Sequence, residues 1–237
     1  MNARVPVSSP CSLERDGFEL HPGVLSSREI EALVCDITDG IDDASPNRRN
    51  LLRDNASVAR VAASAPLNGI ADHALGAAAF PVRVILFDKV DGANWSVPWH
   101  QDLAIPVREK VDAPGFGGWS VKEGVPHVLP PVEVLAGMVT LRLHLDDCGE
   151  ENGPLRVVPG SHRFGKLSEA EIARVRGKTP EVTCLATRGS VLAMRPLLLH
   201  ASSAAQRPGH RRVLHIEYAA HRLPSGLRWP ALPTIHP

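Results

Sequence analysis

His100 and Asp102 stand two residues apart, and His200 lies far downstream. Two histidines and one carboxylate can occupy one face of a ferrous ion and leave the remaining positions open for a cosubstrate and O2. Side chains two apart on a β-strand point the same way. An extended segment therefore lets His100 and Asp102 meet one metal, with His200 arriving on a distant strand folded back beside them. Alone, such a pair carries little weight in a chain with 11 histidines, and a surface or core pair near a turn is the competing explanation.

The surrounding segments supply the missing weight. The first pair lies in Val97-Pro98-Trp99-His100-Gln101-Asp102. Residues 151–162 read ENGPLRVVPGSH, and His200 is followed by Ser202 and by Arg211-Arg212. Upstream stand Asp16-Gly17-Phe18 and Pro22-Gly23-Val24-Leu25. In this order and at these distances the segments resemble the phytanoyl-CoA dioxygenase family of 2-oxoglutarate-dependent oxygenases, over roughly residues 17–220.

The resemblance implies a mainly β fold with supporting helices, the double-stranded β-helix or cupin-like jelly roll. It implies Fe(II) held by His100, Asp102 and His200, and 2-oxoglutarate as cosubstrate. Arg211 would salt-bridge the far carboxylate of 2-oxoglutarate, with the Ser202 hydroxyl beside it. A planar guanidinium grips a carboxylate bidentately and stays charged at any working pH. Arg212 is the alternative if the strand register is displaced by one. The implied reaction hydroxylates an unactivated C–H bond and yields succinate and CO2. Related halogenases replace the metal-binding carboxylate with a small residue, so Asp102 argues against halogenation.

Other residues follow from pattern. From Met138 to Leu145 a strand alternates Val139, Leu141, Leu143 and Leu145 with Thr140, Arg142 and His144. If the apolar row packs on helices, the polar row points inward; a solvent-facing row is equally compatible. Thr140 is thus a candidate cosubstrate contact, and Arg142, His144, Gln101 and Trp119 are candidate substrate contacts. His200 follows three leucines and reads as the end of a buried strand. His127, His144, His162 and His215 are not assigned to the metal, and Trp99 is read as packing.

The length of 237 residues and the 43% apolar content suit one domain, residues 1–237. Acidic and basic residues balance at 26 each, which offers no basic excess for nucleic acid and no charged run for a membrane surface. Cys11, Cys35, Cys148 and Cys184 have neither close pairing nor zinc-like spacing and read as reduced thiols of a cytoplasmic protein. The expected partners are a small-molecule substrate and O2, in a monomer or homodimer.

Residues 1–16 read as a loose arm and 40–56 as polar and turn-rich. Helices are expected from Ser26-Ser27-Arg28-Glu29 onward, with its cap-like hydroxyls, and over 68–79. Strands are expected over 82–88, 137–145, 153–158, 181–186, 190–194 and 211–219. Residues 104–135 are rich in proline and glycine and predict a long irregular loop, which would serve as a lid carrying Trp119 over the substrate. Two other classes stay open: a zinc-type hydrolase or isomerase using the same three ligands, and a jelly-roll protein that binds without catalysis.

Overall fold

The computed structural model describes residues 12–38, 47–207 and 209–231. Helix α1 (Leu13–Asp16) and strand β1 (Phe18–His21) precede helix α2 (Ser27–Thr38). Strand β2 (Asn47–Arg48) and helices α3 (Leu51–Asp54), α4 (Ala56–Ala62) and α5 (Ala65–Leu75) lead into β3 (Phe80–Lys89). Then come β4 (Val97–His100), β5 (Ile105–Pro106), β6 (Gly117–Lys122), β7 (Val125–Leu129), α6 (Val132–Ala136) and β8 (Met138–His144). The chain continues through β9 (Leu155–Val157), α7 (Glu169–Arg176), β10 (Val182–Cys184), β11 (Val191–Met194), β12 (His200–Ser202) and β13 (Arg211–Ala219).

The strands form a six-stranded sheet in the order β1-β11-β8-β13-β3-β2 and a four-stranded sheet in the order β10-β9-β12-β4. Every pairing is antiparallel. This is the expected jelly roll. Helices α2, α4 and α5 cover the outer face of the large sheet, where Val84, Leu86, Leu141, Leu143, Leu214 and Ile216 bury against Ile30, Leu33, Val58 and Leu67. Helix α2 begins as its hydroxyls suggest. The Glu29 carboxylate accepts from the backbone N–H (2.8 Å) and hydroxyl (2.6 Å) of Ser26, and Glu29 N–H donates back to Ser26 Oγ.

Register decides which side chains face the other sheet. Directly opposed residues share a face, so β3 and β13 set Lys89 beside Arg211, Phe87 beside Val213, Ile85 beside His215 and Arg83 beside Glu217. Across β13, strand β8 adds His144 opposite Val213, Arg142 opposite His215 and Thr140 opposite Glu217. Since the alternate residues of all three strands meet the helices, this polar face points into the barrel. The inward reading of Thr140, Arg142 and His144 is the correct one, and all three are buried.

Several expectations are corrected. The arm includes a capped helical turn at 13–16, with Ser12 Oγ accepting from Arg15 N–H; residues 1–11 lie outside the described residues. The polar stretch 40–56 contains α3 and opens α4, while 39–46 lie outside the described residues. The helix expected over 68–79 runs from Ala65 to Leu75 and stops at Gly76 with φ +66°, a conformation suited to glycine. Residues 104–135 are not an irregular loop but a three-stranded sheet, β5-β7-β6, followed by α6. Its prolines and glycines lie both in its strands, as Pro106, Gly117, Gly118 and Pro126 do, and in its turns. Lys122 pairs with Val125 across Glu123 (φ +47°) and Gly124 (φ +79°), the two-residue hairpin in which both central residues have positive φ.

Candidate active site

The three candidate ligands converge. A ligand atom from each of His100, Asp102 and His200 lies within 4.8 Å of the others. Asp102 Oδ1 is 3.7 Å from His100 Nε2, and Oδ2 is 3.6 Å from His200 Nε2. Two donors each about 2.1 Å from one ion can be up to about 4.2 Å apart, so the set fits a shared metal. The ring orientations agree. Nδ1 of His100 lies 2.8 Å from the Pro98 carbonyl, and Nδ1 of His200 lies 2.8 Å from the Leu198 carbonyl. A carbonyl only accepts, so both Nδ1 atoms carry the hydrogen and both Nε2 lone pairs face the centre. Asp102 Oδ2 is buried without a hydrogen-bond partner, an orphan that a cation would satisfy. Burial alone would raise the Asp102 pKa, but the imidazoles of His200, His215 and His100 hold it well below the carboxylate range. Burial pushes His200 down to about 4, which leaves it neutral and free to ligate at neutral pH.

Strand geometry accounts for only part of this convergence. Strand β4 ends at His100, and Asp102 is held just beyond it by its N–H on the Pro196 carbonyl at 2.9 Å. Leu197-Leu198-Leu199 form a turn rather than a strand, and His200 opens β12 instead of closing a strand. Gln101 serves this turn. Its amide nitrogen donates to the carbonyls of Leu197 (2.7 Å) and Gly165 (2.8 Å), and its oxygen accepts from Leu167 N–H (2.8 Å). Gln101 lines the cavity, and its amide, occupied on this scale by backbone, clamps the turn. Ser161 Oγ accepts from Leu199 N–H at 2.8 Å on the other side. The neighbouring His162 bonds the Glu14 carbonyl and packs on Gly17, where an added Cβ would come within 2.4 Å of its ring. The glycine of the Asp-Gly-Phe opening and the Pro-Gly-Ser-His turn thus need each other, and neither reaches the metal.

A cavity of about 420 Å³ runs beside the ligands, within the range usual for small-molecule sites. Its inner end holds Lys89, Arg142 and Arg211, at 1%, 6% and 3% exposure, together with Ser202. Among the described residues none of these three cations has a carboxylate within ion-pair distance. Lys89 Nζ donates to the Ser203 carbonyl and lies 3.3 Å from Ser202 Oγ. Burial and then the nearby Arg211 lower the Lys89 pKa to about 8, and burial lowers Arg142 to about 10. Burial with Arg142 and Arg211 nearby takes His144 down to about 3, so it is neutral. The register question is settled by Arg212. It faces outward and grips Asp146 with Nε at 2.8 Å and Nη2 at 2.6 Å.

His215 sits beside the ligands, with Nε2 3.7 Å from Asp102 Oδ2 and 3.4 Å from Glu217 Oε1. Its Nδ1 lies 3.1 Å from Arg142 Nη1. Guanidinium nitrogens only donate, so Nδ1 accepts and Nε2 bears the hydrogen. In this tautomer His215 offers no lone pair to a metal. Trp119 is not at the cavity. It packs in a satellite cluster with Ile105, Val128 and Leu223, with Lys110 Nζ 5.9 Å from its ring centre. Trp99 is a packing residue, its ring 4.7 Å from the Arg176 guanidinium and 5.4 Å from that of Arg156. The sequence reading missed Lys89, Arg83, Lys122 and Arg49, all of which line the cavity. The alternation of β3 carried a signal for the first two, since Arg83, Ile85, Phe87 and Lys89 share one face.

A family model described as phytanoyl-CoA dioxygenase (PhyH) matches residues 13–213. The chain belongs to this family. L-proline trans-4-hydroxylase of Streptomyces griseoviridis is 26% identical over 188 residues, covering 68% of this chain and 62% of that protein. The chain thus matches less than two thirds of that relative's length. Among solved structures, AviO1 from Streptomyces viridochromogenes Tue57 has a TM-score of 0.62 at 26% identity, over 93% of this chain and 95% of that one. EctD from S. alaskensis in its apo form reaches 0.68 at 21% identity, over 99% and 90%. SnoK, a non-heme alpha ketoglutarate dependent carbocyclase from nogalamycin biosynthesis, reaches 0.66 at 16%, over 94% and 85%. The last two likenesses establish the jelly-roll fold. Among the described residues no helix is long and apolar enough to cross a membrane.

Proposed function

We propose that this dioxygenase uses Fe(II) and 2-oxoglutarate to hydroxylate an unactivated C–H bond of a small metabolite. His100, Asp102 and His200 would hold the iron. The observation that carries the reading is the inner end of the cavity, where Lys89, Arg142 and Arg211 are buried beside the triad with, among the described residues, no carboxylate within ion-pair distance. Buried charges of one sign are costly until an anion pairs them, and 2-oxoglutarate is a dianion. Arg211 and Ser202 would take its far carboxylate, Lys89 would add a second charge, and Thr140 and His144 lie on the same inward face. When bound, iron with 2-oxoglutarate and O2 supplies the oxidising power, with succinate and CO2 as coproducts; the protein's share is orientation and the exclusion of water.

A zinc hydrolase needs no cluster of buried cations, and a silent binding protein needs no intact ligand set. Hydroxylation is the outcome we favour, because Asp102 keeps the full carboxylate donor and a curated relative is a proline hydroxylase. Cys35 and Cys148 are free thiols, which fits the reducing cytoplasm that we assign as its compartment. The test is anaerobic Fe(II) titration, followed by succinate release with and without a metabolite library. We expect His100→Ala and His200→Ala to lose iron binding with the fold intact. Undiminished iron affinity in both, or turnover that is zinc-dependent and indifferent to 2-oxoglutarate, would overturn the assignment.

A further inference from the structure

The cavity carries more positive charge than iron and one cosubstrate account for. Among the described residues six cations line it, Arg49, Arg83, Lys89, Lys122, Arg142 and Arg211, against a single lining carboxylate, Asp102. The excess is local, because acidic and basic residues balance over the whole chain. Its distribution follows strand β3. Lys89 and Arg83 mark the two ends of one inward row, a span of roughly 20 Å at about 3.3 Å per residue. Asp102 sits over the middle of that row, since His215, which it approaches at 3.7 Å, is opposite Ile85. The cavity therefore has an inner cationic end beyond the metal ligands and an outer one on the other side.

At the outer end Arg83 is already committed. It ion-pairs with the buried Glu217, and its Nη2 lies 3.3 Å from the Ala104 carbonyl. Lys122 and Arg49 are not so matched. Among the described residues Lys122 has no carboxylate within ion-pair distance. Among the described residues Arg49 has only Glu123, 3.8 Å away with its side chain 52% exposed, a contact of little energetic weight. The backbone that carries Lys122 is nonetheless braced. Lys122 is the last residue of β6, and the Glu123-Gly124 turn that follows is tied to the start of α3 by Asn50 Nδ2 on the Glu123 carbonyl at 3.1 Å. Partial burial together with Arg83 and Arg49 depresses the Lys122 pKa, as expected of a lysine held near like charges. A lysine that merely sought water would point away from two arginines and out of the cavity.

We propose that the substrate oxidised by this enzyme is an anion, and that Lys122 with Arg49 holds its carboxylate or phosphate at the outer end of the cavity. The proposal rests on the function proposed above, because it assigns the inner cations to 2-oxoglutarate. It also gives the 104–135 segment its role: a hairpin that carries a recognition charge rather than an apolar lid.

The test uses full-length enzyme loaded with Fe(II) and 2-oxoglutarate under argon. Matched probes are titrated by calorimetry: phenylacetate and phenylacetamide, hexanoate and hexanamide, glycerol 3-phosphate and glycerol. We expect binding among the acids, with each bound acid at least tenfold tighter than its neutral partner. Loss of one charge-assisted contact, in Lys122→Ala or Lys122→Gln, should weaken a bound acid roughly tenfold or more and leave the neutral partner unmoved. Carboxylate-only and phosphate-only binding both support the anion and assign its kind. Neutral probes that bind as tightly as the acids, a panel without any bound acid, or Lys122 variants with unchanged acid affinity would each overturn it. Titration of wild-type enzyme with 2-oxoglutarate alone separates the two readings, since failure there removes the proposed function whatever the panel shows.

Discussion

Replacing Arg211 by methionine tests the cosubstrate assignment most directly. Methionine is unbranched and fills irregular space, so the substitution removes charge with little loss of volume. Arg211 is 3% exposed and lies opposite Lys89 at the closed end of the cavity. Truncating one partner of a desolvated charge pair costs about 2–5 kcal/mol. Lys89 and Arg142 remain to hold the carboxylate, which places the loss in the lower part of that range. About 2–3 kcal/mol corresponds to roughly 30- to 150-fold weaker 2-oxoglutarate binding. Calorimetry with anaerobic Fe(II) enzyme reads this directly, and iron affinity should change little. The same structure sets an opposite expectation for the free protein. An unpaired buried cation is a cost, so Arg211→Met should melt at a higher temperature than wild type without cosubstrate and gain less on its addition. Arg212→Met is the control, because Arg212 is engaged by Asp146 on the outward face; it should lose stability and keep its cosubstrate affinity. A 2-oxoglutarate constant within threefold of wild type for Arg211→Met, with a drop for Arg212→Met, would refute the register argument.

Other expectations follow from the same contacts. Ser161→Ala leaves the Leu199 N–H buried without its acceptor, a penalty of about 1–3 kcal/mol, and should lower iron affinity roughly 10- to 100-fold by loosening the turn before His200; unchanged iron binding would show that the turn holds itself. Lys89, with its pKa lowered to about 8, binds fewer protons folded than unfolded between about pH 8 and 10.5. Free-protein stability should therefore rise with pH across that window, while 2-oxoglutarate affinity falls as the charge is lost; Lys89→Met should flatten both trends. Trp119→Ala should cost about 1–3 kcal/mol, less than the roughly 3–5 kcal/mol of a fully buried aromatic, and leave succinate matched to product; uncoupled succinate release would return Trp119 to the cavity.

The three metal-ligand candidates were legible because their spacing sits inside motifs whose order is itself informative. Arg211 was legible for the same reason, and the inward row of β8 was legible as an alternation with an undecided direction. The direction became fixed once Val139, Leu141 and Leu143 had helices to meet. Lys89 and Lys122 stayed hidden because a lysine at a strand end reads as solvated. What makes them functional is the cross-strand partner, Arg211 for one and the hairpin bracing at Asn50 for the other, and a single sequence does not state register. The hairpin itself was obscured by its turn, since Glu123-Gly124 lacks the asparagine or aspartate that usually announces such a bend.

The turn ahead of His200 has a consequence for how the protein matures. Arg195 N–H is held by the Gly17 carbonyl, Gly160 N–H by that of Asp16, Leu197 by Gln101 and Leu199 by Ser161. Segments from the beginning, middle and later part of the chain must all be in place before the last ligand faces the other two. A nascent chain that has emerged only as far as Asp102 offers two donors and no closed site. The closed set of three donors therefore exists only once these distant segments have folded together.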